Sequence, residues 1–354
     1  MLLQRRQIKM KTAVVVLNWN TKDYLRRFLP GLLHSCITAG AELVVADSGS
    51  DDGSREVLAR EFPEVHTVLL DRNYGFTGGY NRAFETLDGL GYDYYVLINS
   101  DIEVEDGWLE PLLDWMESHP ECGICGPKLH GLLRQDGLLI RSSRFEYAGA
   151  GGGLIDRFGF PYCRGRIWKK VEQDHGQYDQ APPEVFWVTG ACLVIRSSLW
   201  KSLGGLDDRF FAHMEEIDLC WRAQLAGWKV NVVPKSVVWH LGGGTLPPTS
   251  PLKLKLNFRN NLLALEKNLP GTYITQGLSP EQAERKAARF LCVRVILDYC
   301  ARIAYFCIGK PSLARAVRDA HREWNALRKQ APPRQAPLPG AKVEGLTGIF
   351  ILLK

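Results

Sequence analysis

Four short apolar runs rich in β-branched and aromatic residues mark the first hundred residues, and each stops at a polar group. Ala13–Leu17 stops at Asn18, Leu43–Ala46 at Asp47, Val65–Leu70 at Asp71 and Tyr94–Ile98 at Asn99. Runs this short and this apolar predict strands buried on both faces, as in a parallel sheet. The stretch 22–35 predicts a helix between the first two, and the segment 71–81 opens another. That alternation predicts an open α/β sheet, where ligands bind beyond the carboxyl ends of the strands. The polar residues at those ends are the first functional candidates.

After the first strand comes Asn18-Trp19-Asn20, and after the second the acidic Gly/Ser loop Asp47-Ser48-Gly49-Ser50-Asp51-Asp52-Gly53-Ser54. An Asp at such a place accepts hydrogen bonds from a base N–H or a ribose hydroxyl; equally, Ser and Asp there serve as helix caps and turn formers. The third strand leads into Asp71-Arg72-Asn73-Tyr74-Gly75-Phe76-Thr77-Gly78-Gly79-Tyr80-Asn81. Its glycines allow close approach to a ligand, and a helix N-terminus favours phosphate. Their spacing matches neither the dinucleotide fingerprint nor a Walker loop. The fourth strand runs into Asn99-Ser100-Asp101. A carboxylate there can hold a divalent cation bridging a diphosphate, or can simply end a strand in a turn.

The segment Asp207–Arg222 places five carboxylates within twelve residues, among large apolar groups. Apolar walls raise the cost of ionising an unpaired acid, which suits a general base, a metal site or both. The structural alternative is a helix start whose acids meet the dipole, with Asp218 pairing Arg222 at i,i+4.

Taken in order, Val-Leu-Asn-Trp-Asn, Asp-Ser-Gly-Ser-Asp-Asp-Gly-Ser, Asn-Tyr-Gly-Phe-Thr-Gly-Gly-Tyr-Asn, Asn-Ser-Asp and Glu-Glu-Ile-Asp-Leu-Cys-Trp-Arg resemble family 2 of the inverting glycosyltransferases. Val188-Thr189-Gly190-Ala191-Cys192 and Val237-Val238-Trp239-His240 look like the same family, in its rhamnosyltransferase-like branch that builds bacterial surface polysaccharides. The resemblance covers roughly residues 11–244. It implies a GT-A nucleotide-sugar-binding fold, a Rossmann-like mixed sheet, with a C-terminal helical extension. It implies that Asn18 and Asn20 line the nucleotide pocket, that Asp47 and Asp52 hold the base and its surroundings, and that Arg72 and Asn73 close that side. Asn99 and Asp101 occupy the Asp-x-Asp position, with Asp101 and His240 as ligands to Mn²⁺ or Mg²⁺. Glu216 takes the place of the catalytic Asp, and Glu215 matches the preceding Glu. Two departures stand out: Asn99 replaces an acid, weakening the pull on a cation, and Glu216 is one methylene longer than Asp. The implied partners are a UDP- or dTDP-sugar donor and a glycan or lipid-linked acceptor.

The chain has 354 residues, 45% hydrophobic and 23% charged, enough for one large globular domain and an appendage. Residues 1–11 predict a basic leader without the apolar core of a signal peptide, with Met10 as an alternative start. Residues 12–245 form the expected catalytic domain and 246–354 a basic helical region, parted by the Pro-rich link 246–251. The overall charge of +5 conceals an asymmetry: residues 12–250 hold 22 Lys and Arg against 32 Asp and Glu, a net of −10, and residues 251–330 hold 15 against 6, a net of +9. Nine cysteines without a framework point to a reducing, cytoplasmic compartment. Cys122-x-x-Cys125 lacks a second pair and predicts buried thiols.

The stretch 132–183 breaks the strand and helix rhythm. Glycines at 149–153 and alternating basic and aromatic residues (Arg157, Phe158, Tyr162, Arg164, Arg166, Trp168) fit either a solvent-exposed excursion or, the preferred reading, an acceptor loop, and the acidic domain around it argues against nucleic acid. The apolar run 290–308 carries Arg294, Asp298 and Arg302 on one helical stripe. Each would cost about 2.5–3.5 kcal/mol at bilayer depth, which argues against a span. Two readings remain for it: an interfacial helix on the inner face of the membrane, or a helix packed on the catalytic domain or in a dimer contact. The apolar end 348–354 reads as a truncated terminus. Two other function classes are a sugar-phosphate nucleotidyltransferase, which needs a basic Gly-rich loop where Asn18-Trp19-Asn20 stands, and a catalytically silent nucleotide-sugar binder, which only turnover excludes.

Overall fold

The computed structural model describes residues 10–146, 150–167, 170–242, 250–330 and 336–346. Most of the leader, most of the Pro-rich link, Gly149, Trp168 and the apolar end 348–354 lie outside the described residues. The order is β1 (Thr12–Asn18), α1 (Lys22–Ala39), β2 (Glu42–Ser48), α2 (Ser54–Glu61), β3 (His66–Leu70), α3 (Gly75–Leu87), β4 (Tyr94–Asn99), β5 (Ile102–Glu103), α4 (Glu110–Ser118), β6 (Cys122–Gln135) and β7 (Leu138–Phe145). Short strands β8 (Gly153–Ile155), β9 (Pro161–Cys163), β10 (Arg166–Ile167) and β11 (Lys170–Val171) follow. Then come β12 (Cys192–Arg196), α5 (Ser197–Leu203), α6 (Glu215–Leu225), β13 (Lys229–His240), α7 (Pro251–Thr275), α8 (Pro280–Cys307) and α9 (Pro311–Leu327).

Nine strands form one mixed sheet in the order β3-β2-β1-β4-β12-β6-β13-β5, with β7 added to β6. The first four strands are parallel and β12 runs antiparallel between β4 and β6. The four apolar runs are thus strands, as expected. The first helix runs four residues past 35 to Ala39, where Gly40 closes it in the left-handed conformation. The stretch 132–183 is less irregular than expected. It opens with the hairpin of β6 and β7 and continues as a separate four-stranded sheet, β11-β10-β9-β8. Cys122 and Cys125 are buried thiols on β6.

Alternate residues of each central strand serve opposite faces, the period-2 rule that the sequence pattern relies on. Val14, Val16, Val45, Val96 and Ile98 meet α1, α2 and α4 through Leu25, Leu29, Leu58 and Leu112. Ala13, Val15, Val44, Tyr95 and Leu97 belong to the other layer, with Tyr80, Phe84, Trp200, Trp221, Leu262, Leu265 and Leu269. The second list crosses from the sheet into α7, so the sheet and the C-terminal helices share one core. At this joint the Trp221 indole donates to Thr272 Oγ1 at 2.8 Å.

A shared core predicts a single cooperative transition. Chemical unfolding followed by tryptophan fluorescence and by far-ultraviolet circular dichroism should coincide. Leu265→Ala, on a side chain 1% exposed, should lower both midpoints together by about 2–5 kcal/mol of stability. A two-step curve in which only the helices respond would contradict the shared core.

Candidate active site

Three strand ends meet in register. Asn18 at the end of β1 stands beside Asp47 on β2, and its neighbour Leu17 stands beside Asn99 on β4. This is the point where the sheet order reverses, with β2 on one side of β1 and β4 on the other. A crevice forms there in α/β sheets because the two flanking connections leave in opposite directions.

On the β1–β2 side Asn18 Nδ2 donates to Asp47 Oδ2 at 2.8 Å and lies 3.2 Å from Ser50 Oγ. Asp47 is fully buried. Burial alone would raise its pKa, but hydrogen bonds from Ser50, Arg55 and Asn18 outweigh it and hold the carboxyl below its ordinary value. Asn20 adopts a left-handed conformation, φ 54°, and its side chain exchanges hydrogen bonds with Asp51. Asp52 faces its own backbone: it accepts from the Lys22 amide at 2.9 Å and from both the amide and hydroxyl of Ser54. It therefore ties the start of α1 to the start of α2.

The Gly-rich segment is arranged differently from the expectation of a phosphate cradle. Asn73 Oδ1 accepts the Gly75 amide at 2.7 Å, and the next two amides, of Phe76 and Thr77, both point at the carbonyl of Phe211. The N-terminus of α3 is thus occupied by the protein itself. Gly75 is required there twice over: its φ is +71°, and a Cβ would sit 2.5 Å from the Phe211 ring. Arg72 is exposed, with its guanidinium 4.8 Å from the Tyr74 ring centroid, at the rim of this segment.

On the β4 side Asp101 Oδ1 lies 3.2 Å from His240 Nε2, and the Asn99 amide lies 3.5 Å from the same nitrogen. The pairing of β13 with β5 delivers His240 beside Ile102, which makes this contact possible over 139 residues of chain. Burial opposes ionisation of Asp101, and His240 outweighs it, holding the carboxyl low. Burial likewise opposes the imidazolium, yet Asp101 and Glu146 raise His240 to about 10. Glu146 Oε1 lies 3.6 Å from His240 Nδ1. Its sequence neighbourhood carries no motif, and only the fold brings it here. Among the described residues no group of three or more His, Cys, Asp or Glu forms a ready-made metal cage. The Asp101 carboxylate, and His240 once a cation displaces its proton, are donors of the kind that Mn²⁺ or Mg²⁺ accepts beside a diphosphate.

The five carboxylates of 207–218 separate cleanly. Asp207 pairs with Arg209 at 2.6 Å and Lys267 at 2.8 Å. Asp208 is exposed and accepts from Asn81 at 2.8 Å. Asp218 is sealed, held by Arg222 at 2.7 Å, Lys267 at 3.0 Å and Asn268 at 2.8 Å. Glu215 and Glu216 have no such partners, and Oε2 of each is buried without a hydrogen bond. Burial raises both, Glu216 to about 7 and Glu215 well above its ordinary value, the latter also repelled by Glu216. Glu215 is 5% exposed, whereas Glu216 is half-buried beside Gly190, where a Cβ would come 3.4 Å from Glu216 Cβ. The next residue, Ala191, accepts the Asn99 amide at 2.9 Å. Glu216 is thus linked through two backbone residues to the Asn99 and Asp101 end of the crevice.

The loop that presents these acids is strained. Phe211, His213 and Met214 all have positive φ, at 63°, 70° and 72°, each costing roughly 1–2 kcal/mol for a non-glycine residue. Its carbonyls are held by α7: Asn260 Nδ2 lies 3.0, 2.8 and 2.7 Å from the oxygens of Phe210, Ala212 and His213. Arg259 donates to Phe210 O at 2.8 Å. No sequence pattern marks Asn260 or Arg259 for this task.

The comparisons agree with this architecture. Residues 13–137 match the model of glycosyl transferase family 2. Over 237 residues the chain is 29% identical to an N-acetylglucosaminyl-diphospho-decaprenol L-rhamnosyltransferase of Mycobacterium tuberculosis, covering 64% of this chain and 75% of that protein. Among solved structures, S. aureus TarS 1-349 in complex with UDP-GlcNAc aligns with a TM-score of 0.52 at 14% identity, over 90% of this chain and 84% of that one. Mannosyltransferase PcManGT of Pyrobaculum calidifontis, in complex with GDP-Man and Mn²⁺, aligns at 0.51 and 13% identity, over 89% and 86%. At such identities the structural matches speak for the fold, which is GT-A.

The raised pKa of Glu216 gives a stability test. A carboxyl raised from 4.5 to about 7 in the folded state leaves folding unpenalised below pH 4.5 and increasingly penalised as pH rises from there through 7. Glu216→Gln should therefore match the parent near pH 4.5 and exceed it at pH 8 by about 1–3 kcal/mol. Equal stability at both pH values would mean that Glu216 ionises normally.

Proposed function

Since the chain belongs to glycosyltransferase family 2, in its rhamnosyltransferase-like branch, we propose that the crevice transfers a sugar with inversion. The donor is a UDP- or dTDP-sugar and the acceptor a hydroxyl of a glycan or lipid-linked molecule in bacterial surface polysaccharide synthesis. The observation that carries this reading is the pair of carboxylates, Glu215 and Glu216, that face a strand-end crevice without a cation partner and each with a buried oxygen lacking a hydrogen bond, while Asp207 and Asp218 of the same segment are paired.

Asn18, Asn20 and Asp47 line the nucleotide end, with Arg72 at its rim, and Asp52 and Asn73 fix the loops that carry them. Asp101 and His240, with Asn99 beside them, would hold Mn²⁺ or Mg²⁺, which would supply Lewis-acid stabilisation of the departing diphosphate. Glu216 is the general base and Glu215 its rival. With a pKa near neutrality Glu216 is part ionised at working pH and basic enough to take the acceptor proton. As the acceptor oxygen bonds to the anomeric carbon, its proton passes to the carboxylate, and the bond to the diphosphate oxygen breaks with its electron pair. One displacement without an enzyme nucleophile inverts the anomeric centre. The rhamnosyltransferase relative acts on a decaprenol-linked sugar by its name, which favours a lipid-linked acceptor and work at the inner face of the cell membrane. No described helix is long and apolar enough to cross a membrane.

Two experiments test the reading. UDP or dTDP should raise the melting temperature in Mn²⁺ or Mg²⁺ and less in EDTA; binding of no nucleoside diphosphate under any metal condition would remove the donor site. Glu216→Gln should retain that nucleotide-induced shift and lower transfer by roughly 10²–10⁴-fold. Loss in Glu215→Gln alone would move the base by one residue, and activity in both variants would exclude this helix.

A further inference from the structure

Helix α8 is built inside out. Its inward stripe carries Ala283, Ala287 and Leu291 but also Arg294 and Asp298, only 3% and 1% exposed. Its outward stripe carries Val293, Ile296, Tyr299, Ile303 and Phe306, each 45–70% exposed. The helix is not free to roll these inward. Arg294 donates to Asp298 at 2.8 Å and stacks 3.7 Å above the Phe160 ring, and His321 of α9 contacts the second Asp298 oxygen at 3.1 Å. Rotating α8 to bury Ile303 would pull that ion network apart. The apolar stripe is therefore held in the open by the structure.

The charged residues that directly flank the stripe are mostly basic. Arg285 and Arg289 precede it and Lys310 follows it, all exposed; Lys286 turns aside onto the Tyr273 ring of α7 at 4.2 Å, the exposed Glu281 lies 3.9 Å from Arg285 one turn further out, and between residues 285 and 310 the single acid is the sealed Asp298. This arrangement selects the occupant. A second copy packed by a twofold axis would bring Arg285 and Arg289 of one copy toward the same pair of the other, or toward its Lys310. An anionic bilayer meets both parts at once: acyl chains accept the apolar middle and lipid phosphates the basic ends. From Val293 to Phe306 the stripe is about 20 Å long, and its other side is committed to the protein, so it lies along a surface instead of crossing it.

We propose that the outward face of α8 docks in the plane of an anionic lipid membrane, with Ile296, Ile303 and Phe306 below the headgroups and Arg285, Arg289 and Lys310 among the phosphates. This deepens the reading of a membrane-presented acceptor and rests on it. Because α8 packs on α7, and Asn260 of α7 holds the loop before Glu215, docking fixes the base-bearing helix relative to the bilayer.

The test uses the full chain and vesicles of phosphatidylcholine alone or mixed equally with phosphatidylglycerol. The protein should sediment with the anionic vesicles roughly tenfold better. Ile296→Glu/Ile303→Glu, at exposed sites, should lose roughly tenfold of that binding, and Arg285→Gln/Arg289→Gln should weaken it in low salt only. The exposed thiols Cys292, Cys300 and Cys307 lie on the same helix, and the other six cysteines are buried. A polarity-sensitive thiol label should therefore move to the blue with anionic vesicles. Unchanged sedimentation of the isoleucine variant, or no sedimentation of the parent, overturns the proposal. So does a concentration-dependent dimer that the isoleucine variant abolishes. Donor hydrolysis and the nucleotide-induced melting shift, measured without vesicles on the same preparations, report on the transferase reading separately. Intact values there with no vesicle binding sink only the docking face.

Discussion

The carboxylate of Asp218 is the fastening on which the candidate site depends. It is sealed from solvent one turn into α6, and three donors from two distant parts of the chain converge on it: Arg222 from its own helix, Lys267 and Asn268 from α7. A buried charge so paired is not in itself a large source of stability, because desolvation offsets most of the attraction. Its value lies in geometry. Leaving any one partner unmatched is expensive, so the first turn of α6 has one position relative to α7. Arg222 extends the same constraint by donating to the carbonyls of Leu203 and Gly205, which locks the end of α5 to α6.

That rigidity lets two other carboxylates remain unpaired. Glu215 and Glu216 sit in a place where ionisation is disfavoured. In a softer structure such groups would rotate toward water or find a lysine. Here the cations within reach, Arg209, Arg222 and Lys267, are already committed to Asp207 and Asp218. The segment reads as a cluster of five like charges, yet it divides into acids that hold the backbone and acids left for chemistry. A strained backbone supports the division. One asparagine side chain, donating to the carbonyls of Phe210, Ala212 and His213, keeps Phe211, His213 and Met214 in conformations that an unsupported loop would abandon.

The sequence made some of this legible and hid the rest for identifiable reasons. The strands and the alignment of Asn18, Asp47 and Asn99 follow from local pattern, since apolar runs fix the strands and strand ends in a parallel sheet share one edge. The pairing of Asp101 with His240 was legible only as a family resemblance; nothing local joins the turn before β5 to the end of β13. Asp52 and the glycines at 75–79 illustrate a limit. A carboxylate or glycine at a strand end looks the same whether it serves a ligand or its own chain, and here Asp52 binds amides of α1 and α2 while Gly75 makes room for Phe211. Glu146, Asn260 and Lys267 were invisible because each acts across a long separation, with no periodicity to betray it. The stripe of Arg294 and Asp298 was visible as a pattern, but its inward direction depends on Phe160 and His321.

The contact between Gly75 and Phe211 bears on how enzymes of this build can be altered. The Phe211 carbonyl receives the amides of Phe76 and Thr77, and its ring leaves no space for a side chain at position 75. The turn after β3 and the loop before α6 are therefore two halves of one clasp. In a chimera, importing either half from a relative would mismatch both the amides and the ring. Residues 71–81 and 207–214 make a natural cassette, to be exchanged together, and a lineage that drifts at one half needs a compensating change at the other.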